Sequence, residues 1–319
     1  MRVRSAAAAL IVLFLVLCAP RSSPLAEVQA NHARIGGAAL PSEYGEVIYR
    51  YNERSPHQLY VIGIKHRSTA NRKNGLLTAR AQAETFKIGE WLIRNEGVEL
   101  LFPEGFFERS TLPDAGDAGA PSPLEGQATA REPLDLSMLE ARLGDDSVFV
   151  NAEMLLGEHY RIRKKQAEDR ELYDAASDSL SRLEQSDKRS YDYLALLSRL
   201  EYLQQRRTAA MLQAIPGAID DAFTKGEIRN RKALLTIGMN HLLELITYVK
   251  ENKIAIYCPP FVPGSDKDYI ADVALCNGDF GLTVIIPRVL ADNREVLTMT
   301  RLHTLVPSRA EEQSSPPRP

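Results

Sequence analysis

The chain has 319 residues, of which 44% are hydrophobic and 25% charged, with a formal net charge of -3; it is long enough for one large core or two small ones. That balance excludes a disordered or fibrous protein, and a mildly acidic chain lacks the electrostatic footprint of a nucleic-acid binder.

Arg2 and Arg4 precede an apolar run over residues 6–17, and Val28-Gln29-Ala30 offers a cleavage site of small-x-small form. Residues 1–30 are therefore expected to be a signal peptide. The run is about a dozen residues, short of the roughly 20 that cross a bilayer, so no transmembrane anchor is expected in the mature chain. A lipid anchor through Cys18 is disfavoured by the bulky Leu17 before it. Removing this segment takes away Arg2, Arg4, Arg21 and Glu27 and shifts the formal charge to about -5. The mature protein is expected to be periplasmic or extracellular. In such an oxidising compartment Cys258 and Cys276 read either as a disulfide, worth roughly 3 kcal/mol for a loop of about twenty residues, or as two unrelated buried thiols.

Residues 46–51 and 58–62 are β-rich and flank Asn52-Glu53-Arg54-Ser55-Pro56, which reads as a hairpin delivering His66. A polar stretch, 67–74, leads to a helix over 77–95 with apolar positions at helical spacing, ended by Gly97. Residues 98–103 form another strand, closing on Glu104-Gly105. Residues 111–133 turn to Pro, Gly, Ala, Asp and Ser without periodicity, the mark of a flexible loop, read as a tolerated insertion or a flap over the site.

Residues 136–227 form a helical layer, broken at Gly144-Asp145-Asp146, where 147–150 reads as a short strand, and again at Pro216-Gly217. Within it Tyr193, Leu196, Leu197, Leu200 and Leu203 make a core-facing stripe, and Arg161-Ile162-Arg163-Lys164-Lys165 reads as a solvated helix face. Residues 233–238 are a strand, 242–250 a helix and 254–257 a further buried strand, an order that implies parallel pairing. From Pro307 the chain is a frayed, charged tail. The expected fold is thus mixed α/β: a single domain over 44–306 in which two βαβ-like halves form a central mixed sheet flanked by helices, with a long helical insertion between the halves.

One phrase occurs twice: Ile62-Gly63-Ile64-Lys65-His66 and Ile237-Gly238-Met239-Asn240-His241. Each puts a histidine at the carboxyl end of a strand, where open α/β sheets bind ligands; Glu104 holds the same kind of position. One such copy alone reads as a tight strand exit, with Gly for close backbone approach and an ordinary His; two copies favour a shared site. Glu104 has its own bland reading, a carboxylate capping the turn or pairing with Arg109. His32, His57 and His303 read as incidental; His159 is a nearer rival, a helical histidine that could add a ligand, and reads as structural.

This set resembles the TraB/Tiki superfamily, which includes Tiki-like metallopeptidases, ChaN-like haem-binding proteins and erythromycin-esterase-like enzymes. The resemblance covers residues 44–260 and rests on Gly63/His66, Gly238/His241 and Glu104. It implies a divalent metal ion (Mn, Co, Zn or Fe) held by His66, His241 and Glu104, with Glu104 as ligand or general base and Gly63 and Gly238 shaping the site. It further implies hydrolysis of a peptide or small-molecule substrate by a metal-bound water. Arg229-Asn230-Arg231 looks similar to an Arg-Asn-like pair that the family carries on a helix before its second motif, here so near the strand that the helix is missing or displaced; the resemblance implies that these three residues bind substrate. Lys65 puts a cation where the family often has small or threonine-containing residues. The alternative from the same relatives is non-catalytic, a haem- or peptide-sequestering protein. A metal-independent esterase is a third reading, and no Gly-x-Ser-x-Gly elbow supports a serine hydrolase.

Overall fold

The computed structural model describes residues 34–35, 38–65, 75–108, 134–145, 150–259 and 267–306. The signal segment 1–30, His66, Arg109, the 111–133 segment, residues 147–149 and the tail from Pro307 lie outside the described residues.

In chain order the elements are β1 (Arg34–Ile35), β2 (Ala38–Ala39), β3 (Gly45–Tyr51), β4 (His57–Ile64), α1 (Leu76–Trp91) with a π-helical extension Leu92–Glu96, and β5 (Leu100–Pro103). The insertion supplies α2 (Leu136–Gly144), α3 (Ala152–Tyr160), β6 (Arg163–Lys164), α4 (Arg170–Gln185) and the long α5 (Tyr191–Thr224). Then come β7 (Lys232–Gly238), a 3-10 turn Met239–His241, α6 (Leu242–Glu251), β8 (Lys253–Ile256), β9 (Tyr269–Asp272), α7 (Ala274–Asn277), β10 (Phe280–Pro287), α8 (Arg288–Ala291), α9 (Arg294–Met299) and a final 3-10 turn Leu302–Thr304. Among the described residues no helix is long and apolar enough to cross a membrane.

Six strands form the central sheet in the order β3-β10-β4-β7-β5-β6, with β3 antiparallel to β10 and the other pairs parallel. Helices cover both faces, as a mostly parallel sheet requires. On one face Ala233, Leu235 and Ile237 of β7 pack with Leu212, Ile215 and Ile219 of α5 and Leu245 of α6. On the other, Leu234 packs with Phe86 and Ile88 of α1 and Leu156 of α3. Every residue of β10, and every residue of β4 after His57, is buried, which is why these strands read as unbroken apolar runs rather than alternations. Each such Leu or Ile contributes roughly 1.5–3 kcal/mol of burial.

The mixed α/β class, the flanking helices and the helical insertion are as the sequence implies; several connections differ. The first two strands are no hairpin: β3 and β4 do not pair with each other, because β10, from the far end of the chain, lies between them. The strand after α6 does not extend the main sheet in parallel either. β8 pairs antiparallel with β9 in a separate ribbon, so β10, unread in the sequence, takes the place beside β4.

The basic run at 161–165 is an edge strand rather than a helix face. Arg161 turns the chain at φ +52° and Arg163 and Lys164 pair with Leu100 and Leu101 of β5. Helix α5 runs through Pro216 without a break; burial of Ile215, Pro216 and Ile219 holds it together where propensity alone predicts a stop. Helix α1 with its extension ends, as expected, at Gly97, whose φ of +72° suits glycine.

Cys258 and Cys276 are not joined. In the ribbon Ile256 faces Tyr269 and Lys253 faces Asp272, so Cys258 lies beyond one end and Cys276 beyond the other. Three strand steps of about 3.4 Å already exceed the roughly 7 Å limit on Cα separation for a bridge. Cys276 Sγ approaches the Val249 carbonyl instead, at 3.7 Å.

Candidate functional site

The two copies of the repeated phrase end on adjacent parallel strands: Ile64 of β4 stands opposite Gly238 of β7. On the other side of β7, Pro103 of β5 faces Thr236, and the Glu104 N–H continues that ladder by donating to the Thr236 carbonyl at 3.0 Å. Topology therefore brings the carboxyl ends of three strands into one row, carrying Glu104 and His241, with His66 following β4 two residues past Ile64 in sequence.

Glu104 begins a tight turn whose next residue, Gly105, has φ +72°; a Cβ there would stand 3.3 Å from the Tyr173 ring, so the position needs glycine twice over. Its carboxylate is gripped from both sides. Oε2 accepts from the Gly238 N–H at 2.5 Å, and Oε1 accepts from Arg207 Nη2 at 2.8 Å. His241 Nε2 lies 3.5 Å from the same Oε1. His241 itself is buried, in the 3-10 turn that leads into α6, and its Nδ1 is 2.7 Å from Thr208 Oγ1.

Arg207 and Thr208 come from the middle of α5. The Arg207 guanidinium also binds Glu168, through Nε at 2.7 Å and Nη2 at 2.6 Å, and stacks on the Tyr173 ring at 4.9 Å. Glu168 Oε2 accepts the Gly105 N–H at 2.6 Å. Burial works against the Arg207 charge, but Glu104 and Glu168 outweigh it and hold its pKa above the ordinary arginine value. The result is a buried ion cluster, two carboxylates on one guanidinium, whose backbone contacts fix the turn after β5.

Beside Glu168 a cleft of about 530 Å³ opens between Gln166, Asp169, Arg170 and Glu171 on one side and Ala210 and Ala214 of α5 on the other. Of the cluster, Glu168 borders this cleft; Glu104, Arg207 and His241 do not line it.

Of the residues expected at the site, Glu104 and His241 are brought together. Gly238 contributes its N–H to Glu104, whereas Gly63 serves packing: a Cβ there would stand 2.5 Å from Leu242 Cδ1 and 2.8 Å from Met239 Sδ. Arg229, Asn230 and Arg231 are elsewhere. They precede β7, at its amino end, about 20 Å of strand from Gly238, where Arg229 pairs with Glu99, Asn230 binds the Gly97 carbonyl and Arg231 pairs with Asp220. The basic residue of the site is Arg207 instead. Glu104 neither merely caps its turn nor stands apart; it is the hub of the cluster. His159 packs edge-on against Phe86 and Tyr160, and His57 lies against Phe280 at the opposite end of the sheet.

Sequence reasoning missed Arg207, Glu168 and Thr208. The available signal was periodicity: the apolar stripe through Leu200 and Leu203 continues at helical spacing to position 207 and then Met211. An arginine on a core-facing stripe needs a buried counter-charge.

Comparisons of the chain with protein-family models, with curated proteins and with solved structures give no match. The site's chemistry is thus read from its own atoms. Among the described residues no group of three or more His, Cys, Asp or Glu side chains is placed to hold a metal ion; His241 and Glu104 form a pair, to which His66 is the candidate third.

Proposed function

We propose that the chain is an exported, metal-dependent hydrolase of the TraB/Tiki type, acting on the amide or ester bond of a peptide or small molecule. The observation that carries this reading is the 3.5 Å between His241 Nε2 and Glu104 Oε1 at neighbouring strand ends. Two ligands of one tetrahedral ion, each bound at about 2.1 Å, stand roughly 3.4 Å apart, so these two donors have the spacing a single divalent ion requires. His66 supplies the third donor in this reading. A bound ion would polarise the scissile carbonyl and bring the pKa of a bound water toward about 7.

The protein's own residues have defined tasks. Arg207, fixed by Glu168 and Tyr173, and the Gly238 N–H aim the Glu104 carboxylate; the same hold suits Glu104 as a ligand or as the base that takes a proton from water.

Metal analysis of protein purified without a histidine tag tests the reading. One ion per chain is expected in the wild type, lost in His241→Ala and in His66→Ala with the far-UV spectrum retained, together with chelator-sensitive cleavage of a peptide library. Equal metal content in all three proteins refutes it. A Soret shift on adding haem, with no cleavage, assigns the site to haem sequestration instead.

A further inference from the structure

The two ring nitrogens of His241 meet different surroundings: Nδ1 faces the Thr208 hydroxyl at 2.7 Å and Nε2 faces Glu104 Oε1 at 3.5 Å. A threonine hydroxyl has one hydrogen to give. The Gln204 carbonyl, 3.0 Å away and one helical turn earlier, stands in position to accept it, as the carbonyl four residues back does for many threonines inside helices. A hydroxyl that gives its hydrogen there offers Nδ1 only a lone pair, and the hydrogen in the 2.7 Å contact then belongs to Nδ1. In a neutral imidazole this leaves Nε2 as an acceptor, aimed at a carboxylate oxygen that is an acceptor too. A histidine beside a carboxylate, left to itself, takes the opposite tautomer and donates Nε2–H to it.

We propose that Thr208 is a positioning residue that holds His241 in the Nδ1–H tautomer, so that Nε2 and Glu104 Oε1 turn their lone pairs on a shared cation instead of bonding each other. The tautomer rests on the hydrogen bonds alone; the cation as guest rests on the function proposed above. Two features make Thr208 suited to the task. Its side chain is wholly buried, so no water competes for Nδ1, and its neighbour Arg207 is locked to Glu104 at 2.8 Å, so one stretch of α5 sets both members of the pair. Metal-binding histidines commonly fix their tautomer by donating the other N–H to such an acceptor, and removing that acceptor costs about 10–100-fold in metal affinity.

The test uses the full, 15N-labelled chain stripped of metal, at a pH about two units above the ordinary histidine pKa of about 6.5. Long-range proton–nitrogen spectra report the tautomer of each ring, with His241→Ala assigning the signal. The wild type and Thr208→Ser are expected to show Nδ1–H. Thr208→Val, equal in shape and lacking the acceptor, is expected to show Nε2–H and to bind Zn2+ about 10–100-fold more weakly, with Thr208→Ser within a few-fold of wild type. A wild-type His241 carrying its hydrogen on Nε2, or on both nitrogens at that pH, overturns the proposal without use of any variant; so does a valine variant that folds and keeps Nδ1–H. Inversion of the tautomer without Zn2+ binding in any form supports the positioning role and counts against the metal-dependent function.

Discussion

Arg207 is the residue on which the site depends most, because among the described residues it is the positive group that joins two buried carboxylates. Removing one partner of such a cluster leaves buried carboxylates with backbone donors in place of their counter-charge, a loss typically of about 3–5 kcal/mol. Arg207→Ala is therefore expected to lower the free energy of urea unfolding by that amount, and Arg207→Lys to recover part of it, since a lysine cannot bridge Glu104 and Glu168 with a fork of fixed geometry. A loss under 1 kcal/mol for the alanine variant would show that the cluster is not held as described. Glu104 and His241 were legible from motif position alone: a polar residue just past an apolar strand has few structural reasons to be there. Arg207, Glu168 and Thr208 were not, since nothing local to them says that α5 lies across the ends of β5 and β7.

Among the elements, α6 carries a testable charge. Glu244 lies one turn after His241, and burial raises its pKa above the ordinary glutamate value; His241 and Arg301 act to lower it and Glu201 to raise it. Its Oε2 is buried without a hydrogen-bond partner among the described residues. A carboxyl that holds its proton more tightly folded than unfolded makes stability fall as pH rises from its unfolded pKa, about 4.3, through its folded one. Glu244→Gln in metal-free protein is thus expected to be more stable than wild type at neutral pH, an advantage that shrinks as pH drops through the folded pKa of Glu244 and is gone below about 4. Thermal melts across that range check it; a pH-independent difference would contradict it. Helix α5 and strand β6 show where periodicity misleads. Pro216 does not stop a helix whose flanking isoleucines are buried, and the basic run at 161–165 pairs as an edge strand because β5 presents it a free ladder.

For the whole molecule, the decisive strand is β10. It comes from the C-terminal part of the chain and lies between β3 and β4, pairing with both, so the domain closes only when the last quarter of the chain is in place. A chain ending at Asp279 is expected to lose its cooperative thermal transition and its near-UV signal, because β3 keeps no partner and the apolar side of β4 is uncovered. A native-like melt from that truncation would mean the sheet is not built in this order.

Local chemistry determined the apolar strand runs, the glycine stop after α1, the mixed α/β class and the placing of Glu104 and His241 just past strands, since each depends on residues adjacent in the chain. Strand order was a tertiary decision: a buried parallel strand looks alike whichever neighbour it finds, so no pattern could put β10 between β3 and β4 or send β8 to its own ribbon. The same holds for the site. Its two acids, its guanidinium, its hydroxyl and its imidazole are spread from position 104 to position 241, and only the packing of α5 against the strand ends brings their polar atoms within hydrogen-bonding reach.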